Sequence, residues 1–257
     1  MCLILFAYHY HPEYPLIVAA NRDEFYSRPT QAAHWWPETP QILAGKDLEA
    51  GGTWMGVNLK GRFAAITNIR EPQVKTAASN SRGLIPQRFL SGTDSLDRFS
   101  AKLAVTRSKY NGYNLLFGDH EQIYYFSNRG KMQNLQPGLY GLSNAQLDTA
   151  WPKITLGKRH LQEKMKQNKL TTDELMPVLS SDKIAADEQL PDTGVNLEWE
   201  RLLSSIRIRG NDYGTRSSTI LLIDKQRQVR YHEKQLGAKK ETETKYSFVL
   251  SHDTPQS

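Results

Sequence analysis

The order of strand-like and helix-like segments restricts the fold of this chain more than any other feature. Apolar runs typical of strands predominate up to about residue 143, helical periodicity dominates residues 151–209, and strands return at the end. This order excludes a regular alternation of strands and helices around a parallel sheet. It favours antiparallel sheets covered by helices, and we predict an α+β layered architecture. No repeat or linker is evident, so residues 1–257 are expected to form one domain.

The chain opens on a predicted β-hairpin. Residues 2–10 and 15–21 are dense in apolar side chains, and the His11-Pro12-Glu13 stretch between them is typical of a turn. In a hairpin the end of the second strand lies beside the start of the first. The polar stretch 21–24 is therefore expected next to Cys2. A second hairpin is predicted within residues 53–68, turning at Lys60-Gly61.

The single cysteine of the sequence is Cys2, directly behind the initiator methionine. Removal of Met1 would leave a thiol and an α-amine on the same carbon. The amine, which titrates near pH ~8, can take the proton of the thiol and generate the nucleophilic thiolate. The alternative is a small apolar residue that begins a buried strand, and position alone leaves both readings open. One cysteine excludes internal disulfides and a cysteine-based zinc site.

Several polar residues end the predicted strands and are candidates for a site around Cys2. Strand alternation places Asn21 and Asp23 on one face, with Asp23 in reach of Cys2. Asn68 and Asn144 each follow an apolar strand, where a side-chain amide can donate to an oxyanion. Asparagine is also common at strand ends for purely structural reasons.

Charge and composition narrow the function classes. The formal net charge is +6 and the pI about 9.2, which suits an anionic ligand, but the basic residues are scattered and do not predict nucleic-acid binding. No HExxH or CxxCH motif is present, so we predict no fixed metal site. The apolar run 3–7 is too short for a membrane span or a secretory leader, and we expect a cytoplasmic protein without an integral membrane segment.

Five blocks of the sequence resemble a known family. They are ANRDEFYSRP at 20–29, GGTWMGVNLKGRFAAITN at 51–68, YNGYNLL at 110–116, YGLSNAQLDTAWPK at 140–153 and YGTRSSTILLID at 213–224. In this order they are similar to the NRDE family. The resemblance implies a four-layer αββα sandwich of antiparallel sheets, as in N-terminal nucleophile hydrolases. It also implies a role in intracellular trafficking of heme or in the handling of lipids and acyl-CoA.

A more distant similarity connects the chain to choloylglycine hydrolases and penicillin V acylases, which cleave amides with an N-terminal cysteine. It implies that Cys2 is the nucleophile. The same similarity assigns site roles to the matching positions Asp23, Asn68, Asn144 and Arg216. Arg216 is expected to clamp a carboxylate or to brace the site. The sequence departs from the pattern at Ala20, where the acylase motif begins with arginine. The nearby Arg22 does not restore the motif, because it stands two positions after the one where the motif has arginine.

Two functions follow from these observations. The first is a hydrolase of an amide or thioester. The second is a carrier of heme or acyl-CoA that requires no cofactor and treats heme as cargo. A scaffold without a ligand ranks last, and the oligomeric state stays open. The residues expected to bind the ligand are Asn21, Arg22, Trp35, Trp36 and Trp54, and the tryptophans have core packing as their alternative role.

Overall fold

The computed structural model describes residues 2–72, 80–167, 169–237 and 241–251, and in these ranges it contains thirteen strands and five α-helices. The strands are β1 Cys2–Tyr8, β2 Leu16–Phe25, β3 Thr30–Trp36, β4 Thr39–Asp47, β5 Met55–Asn58, β6 Phe63–Asn68, β7 Tyr113–Gly118, β8 Ile123–Ser127, β9 Met132–Asn134, β10 Gly138–Leu142, β11 Tyr213–Ile223, β12 Gln228–Gln235 and β13 Thr242–Val249. The helices are α1 Leu84–Ser91, α2 Leu96–Thr106, α3 Pro152–Lys164, α4 Thr172–Leu175 and α5 Leu197–Leu203.

The strands form two antiparallel sheets. Sheet 1 has the order β10-β1-β2-β11-β12-β13, and sheet 2 has the order β3-β4-β5-β6-β7-β8-β9. Sheet 2 is a meander in which each strand pairs with the next one along the chain, as short connections favour. Sheet 1 combines the N-terminal hairpin with strands from the end of the chain. The start of β1 is thereby surrounded by segments that are far away in sequence.

The sheets stack on each other and each is covered by helices. Alternate residues of β1 show the division: Ile4 and Phe6 belong to the core shared with sheet 2, whereas Leu3 and Leu5 pack with apolar residues of the helices. Helices α1 and α2 cover the outer face of sheet 2, and α3 and α4 cover sheet 1. The predicted α+β sandwich of antiparallel sheets is therefore confirmed.

The structure also differs from the sequence-based expectation. Strands β3 and β4 were not predicted, because pairing irregularities between Gln31 and His34 and between Trp35 and Trp36 break the period of two. Helical periodicity was expected over residues 151–209, but the last helix of this region, α5, ends at Leu203. There the hydroxyls of Ser204 and Ser205 bond to backbone carbonyls of the preceding turn.

Within the described ranges, no helix combines the length and the apolar character needed to cross a membrane.

Candidate active site at the start of the first strand

Cys2 lies at the edge of a polar cavity. It begins β1, pairs with Arg22 of β2 and is partly exposed. The cavity has a volume of about 290 Å³ and is bounded by residues of both sheets and by the segment 80–83 that precedes α1. This volume is close to the lower end of the range for small-molecule sites, ~300–1,000 Å³.

The surroundings of Cys2 keep its thiol protonated. Burial raises the pKa of the Cys2 thiol, and the negative charge of Asp23 raises it further, whereas Arg22 and a hydrogen bond from the Asp23 backbone act in the opposite direction. A thiol with a raised pKa holds little thiolate at neutral pH. A reaction at this sulfur therefore needs a base that accepts the proton during the attack.

Asp23 of β2 also lines the cavity and is held by the neighbouring strand β11 of sheet 1. It pairs with Thr215, whose hydroxyl donates to Asp23 Oδ1 at 2.7 Å and accepts from the backbone N–H of Ile208 at 2.9 Å. Asp23 is 1% exposed, and burial raises the pKa of its carboxyl. The positive charge of Lys153 opposes this rise. Asp23 is thus a buried carboxyl that is fixed by a hydrogen bond from β11.

The two asparagines predicted from the strand ends meet beside Cys2. Asn68 lines the cavity, and its carbonyl oxygen accepts a hydrogen bond from Asn144 Nδ2 at 2.8 Å. The hydroxyl of Ser143 donates to the Cys2 carbonyl at 3.0 Å and to Asn144 Oδ1 at 3.1 Å. These bonds connect the end of β6 and the residues that follow β10 to the start of β1, and Asn68 lines the same cavity as Cys2.

Arginines and a tryptophan form another wall of the cavity. The Arg22 guanidinium lies 4.4 Å from the centre of the Trp54 ring and donates to Asp47 at 3.3 Å and to Thr30 at 3.1 Å. Arg28 donates to the same Asp47 oxygen at 2.7 Å. This carboxylate therefore partly neutralises the two arginines and holds them in place.

Five of the predicted residues lie outside the described cavity lining: Asn144, whose bond to Asn68 is given above, Arg216, Asn21, Trp35 and Trp36. Arg216 donates to the carbonyls of Phe25, Tyr26 and Arg28, and so braces the chain after β2. The Asn21 amide donates to carbonyls of the helical layer at Leu179 and Ile206.

Trp35 and Trp36 pack in the core on sheet 2, where Trp36 is fully buried, and Trp54 is the predicted tryptophan that reaches the cavity. The difference between Asn21 and Arg22 follows from strand parity, since neighbouring residues point to opposite faces.

Sequence reasoning missed several residues of this region, among them Arg28, Arg82, Thr215 and Lys153. Arg82 lines the cavity and donates to the Gly112 carbonyl at 3.0 Å. Thr215 holds Asp23, and Lys153 supplies the nearby charge. Both stand inside the quoted blocks YGTRSSTILLID and YGLSNAQLDTAWPK. The motifs contain both residues, but a sequence motif does not show which of its side chains point toward the site.

Two glycines let a turn approach the segment that carries Arg82. Gly52 packs so closely on Gly83 that an added Cβ would lie 2.2 Å from the Gly83 carbonyl carbon. The Thr53 N–H also donates to the Gly83 carbonyl at 3.0 Å. Because the obstacle is backbone, it cannot move aside as a flexible side chain would.

We expect Gly52→Ala to displace the segment with Arg82 and to lower the free energy of unfolding by about 1–3 kcal/mol. Urea denaturation of the variant checks the value. Gly51→Ala is the control for volume, because no atom lies within 4 Å of its added Cβ, although the positive φ of 78° adds backbone strain. Equal stability of Gly52→Ala and the unchanged protein would contradict the close packing.

A family model and a curated relative match most of this chain. The family model described as Transport and Golgi organisation 2 matches residues 1–238. The Transport and Golgi organization protein 2 homolog of Bos taurus is 36% identical over 262 residues, covering 92% of this chain and 93% of the relative.

Two solved structures share the fold at low sequence identity. A variant of the conjugated bile acid hydrolase from Clostridium perfringens has a TM-score of 0.56 at 10% identity, covering 99% of this chain and 100% of its own. The Caenorhabditis elegans ortholog of N-acylethanolamine-hydrolyzing acid amidase has a TM-score of 0.51 at 10% identity, covering 86% and 92%. Both are N-terminal nucleophile hydrolases, so the predicted fold family is confirmed.

Proposed function

Because this chain belongs to the Transport and Golgi organisation 2 family and has the fold of N-terminal nucleophile hydrolases, we propose that it hydrolyses a small acyl amide or acyl thioester with Cys2 as nucleophile. The observation that carries the proposal is the position of Cys2. Cys2 is a partly exposed residue that lines a polar cavity together with Asn68. A cysteine that served only as core packing would lie in the apolar layer with its neighbour Leu3, which is fully buried.

The reaction begins once Met1 has been removed, which the small side chain of Cys2 permits. The α-amine takes the proton of the Cys2 thiol while the sulfur bonds to the substrate carbonyl carbon. The carbonyl oxygen becomes an oxyanion. When it collapses, the bond to the leaving amine or thiolate breaks and the α-ammonium returns the proton to the leaving group. Water then hydrolyses the acyl-cysteine thioester, with the same amine as base.

The raised pKa of the Cys2 thiol supports a mechanism in which the sulfur is the nucleophile and the α-amine is the base. Because thiolate is scarce at neutral pH, a base in contact with the sulfur is needed, and an α-amine that titrates near pH ~8 is suited to it. Asp23 orients the amine, and the amide of Asn68 stabilises the oxyanion. The amide of Asn144 donates to the Asn68 carbonyl at 2.8 Å, so Asn144 acts by holding Asn68 in place. Arg216 supports the site indirectly through the chain after β2 that carries Arg28.

The cavity favours a small reactive group. Its volume of about 290 Å³ suits an acyl amide or the thioester end of a larger molecule better than a whole porphyrin ring. Arg28 and Arg82 line the cavity and suit a substrate with a carboxylate or phosphate.

The proposed mechanism requires a free α-amine on Cys2, and this requirement can be tested. We expect the protein with Cys2 as its first residue to hydrolyse at least one member of a panel of acyl amides and acyl-CoA thioesters. The same chain with two extra residues ahead of Cys2 keeps the thiol but loses its α-amine, and is expected to be inactive because the base is lost. Product release is followed by mass spectrometry. Equal rates for the two forms, or no turnover across the panel, would contradict the proposal.

A second candidate is a cytoplasmic carrier that binds heme or acyl-CoA without turnover. The observation that favours it is the set of three arginines, Arg22, Arg28 and Arg82, which line one cavity and suit heme propionates or CoA phosphates. Titration with heme, followed in the Soret band, and with a non-hydrolysable acyl-CoA analogue distinguishes the two ligands. Spectral changes no larger than those with an unrelated basic protein would reject heme as cargo.

A further inference from the structure

A second cavity lies between the end of β2, the start of β11 and helix α5. It has a volume of about 260 Å³ and shares no lining residue with the cavity at Cys2. Its lining includes four apolar or aromatic side chains and two acidic ones: Phe25, Trp199, Leu202, Tyr213, Glu198 and Asp212. The proposed hydrolysis gives no role to these side chains, so the cavity needs an explanation of its own.

Three aromatic rings line this cavity. The pairing of β2 with β11 places Tyr213 directly opposite Phe25, and their rings meet edge to face with centroids 5.2 Å apart. The ring of Trp199 on α5 approaches the same tyrosine, with centroids 5.5 Å apart. Tyr213 is buried, whereas Trp199 is partly exposed and Phe25 is 48% exposed. The tyrosine thus contacts two rings that solvent can reach.

Packing explains Tyr213 better than it explains Phe25. Tyr213 belongs to a small apolar cluster with Leu203 and Ile208, and Trp199 packs against this cluster. Phe25 is not a member of the cluster, and nearly half of it is exposed. Because the hydrophobic effect grows with the area removed from water, an exposed ring contributes little to stability. The ring of Phe25 instead remains available to a ligand in the cavity.

The charged side chains in the lining are both acidic. Within the described ranges, neither Glu198 nor Asp212 forms an ion pair, and the nearby Arg201 and Arg209 pair with other carboxylates. Glu198 stands in the first turn of α5, where a negative charge also suits the helix dipole. Asp212 precedes β11 and has no such role. The cavity therefore combines negative charge with aromatic rings, in a chain whose formal net charge is +6.

We propose that this cavity binds a small molecule that carries a quaternary ammonium group. The faces of aromatic rings attract a cation, and the two carboxylates add a charge attraction. A quaternary nitrogen carries methyl groups in place of N–H donors, so it fits an apolar lining without requiring hydrogen-bond acceptors. The carboxylates would repel the phosphate of a phosphocholine lipid headgroup, which favours a free ammonium compound. The proposal stands independently of the reaction at Cys2.

Choline and its uncharged isostere 3,3-dimethylbutan-1-ol test the role of the charge. The two compounds have nearly the same shape, because the second has carbon where choline has nitrogen. Binding is followed by NMR through the indole N–H signal of Trp199, which is assigned by its absence in Trp199→Phe. We expect choline to bind about five-fold or more tightly than the isostere, because the rings and carboxylates favour only the cation.

Substitutions in the lining test the two attractions separately. Phe25→Leu keeps an exposed apolar side chain but removes the ring, and we expect the affinity for choline to fall by about two- to five-fold. Tyr10→Leu is the matched control, because Tyr10 is 45% exposed and lies outside the lining. It is expected to leave the affinity unchanged. Asp212→Asn is expected to weaken binding of choline by about two-fold or more and to leave binding of the isostere unchanged.

Several results would overturn the proposal. Equal affinities for choline and the isostere would show an apolar depression without preference for a cation. No shift of the Trp199 signal with choline, or an unchanged affinity in Phe25→Leu, would have the same consequence. Phosphatidylcholine vesicles are expected not to retain the protein in a sedimentation assay, and retention would contradict the assignment to a free ligand. None of these results depends on whether Cys2 is reactive.

Discussion

Replacing Cys2 with alanine is expected to abolish hydrolysis of every amide or thioester that the protein accepts. The sulfur is the atom that bonds to the substrate, and the residues left behind provide an oxyanion site without a nucleophile. Loss of a nucleophile from a catalytic unit typically lowers kcat by about 10⁴-fold or more. Because Cys2 is small and partly exposed, the free energy of unfolding should change by less than about 1 kcal/mol. Steady-state kinetics and urea denaturation of the same preparation measure both quantities.

Cys2→Ser is the matched control for this experiment. It keeps a nucleophilic atom at the same position, but an alcohol is a much weaker acid than a thiol and is harder for an α-amine to activate. We expect slow but measurable turnover. Unchanged rates in Cys2→Ala would mean that the observed hydrolysis occurs elsewhere on the protein.

Replacing Glu200 with glutamine is expected to cause the largest loss of stability. The Glu200 carboxylate pairs with Arg70 at 2.8 Å, and their side chains are 5% and 6% exposed. Removal of one buried charge leaves the other uncompensated, which typically costs about 3–5 kcal/mol. Arg70 also donates its backbone N–H to the Asn144 carbonyl at 2.9 Å, so its displacement should disturb the asparagines beside Cys2. Urea denaturation measures the loss.

A surface pair close to Glu200 in the chain serves as the control. Arg201 follows Glu200 on α5 and pairs with Asp187, and these two side chains are 44% and 46% exposed. Asp187→Asn is expected to change the free energy of unfolding by less than about 1 kcal/mol, because solvent screens an exposed pair. A similar small effect of Glu200→Gln would show that the buried pair adds little to stability.

The sequence contained enough information to bring Cys2, Asn68 and Asn144 together. Each lies at the end of an apolar strand, and the ends of antiparallel strands meet at a common edge of their sheets. Motif similarity pointed to the same positions. The fold was predictable for a related reason, since regular hairpins leave clear local signals.

Side-chain direction was predictable only where strands are regular. Arg216 was expected at the site, but the pairing of β11 with β2 shifts between Thr215 and Ser217, so alternation no longer gives its direction. The burial of Lys153 lay beyond sequence reasoning. Polar residues in the first turn of a helix are ordinarily exposed, and only the packing of α3 on sheet 1 encloses this lysine.

The most direct test of the account is the intact mass of the protein before and after exposure to an electrophilic acylating probe, followed by mapping of the adduct. The account predicts a starting mass without Met1 and a single acyl group on Cys2, which is absent from Cys2→Ala. Retention of Met1, or a Cys2 that stays unmodified while surface lysines react, would contradict the claim that this cysteine is an N-terminal nucleophile.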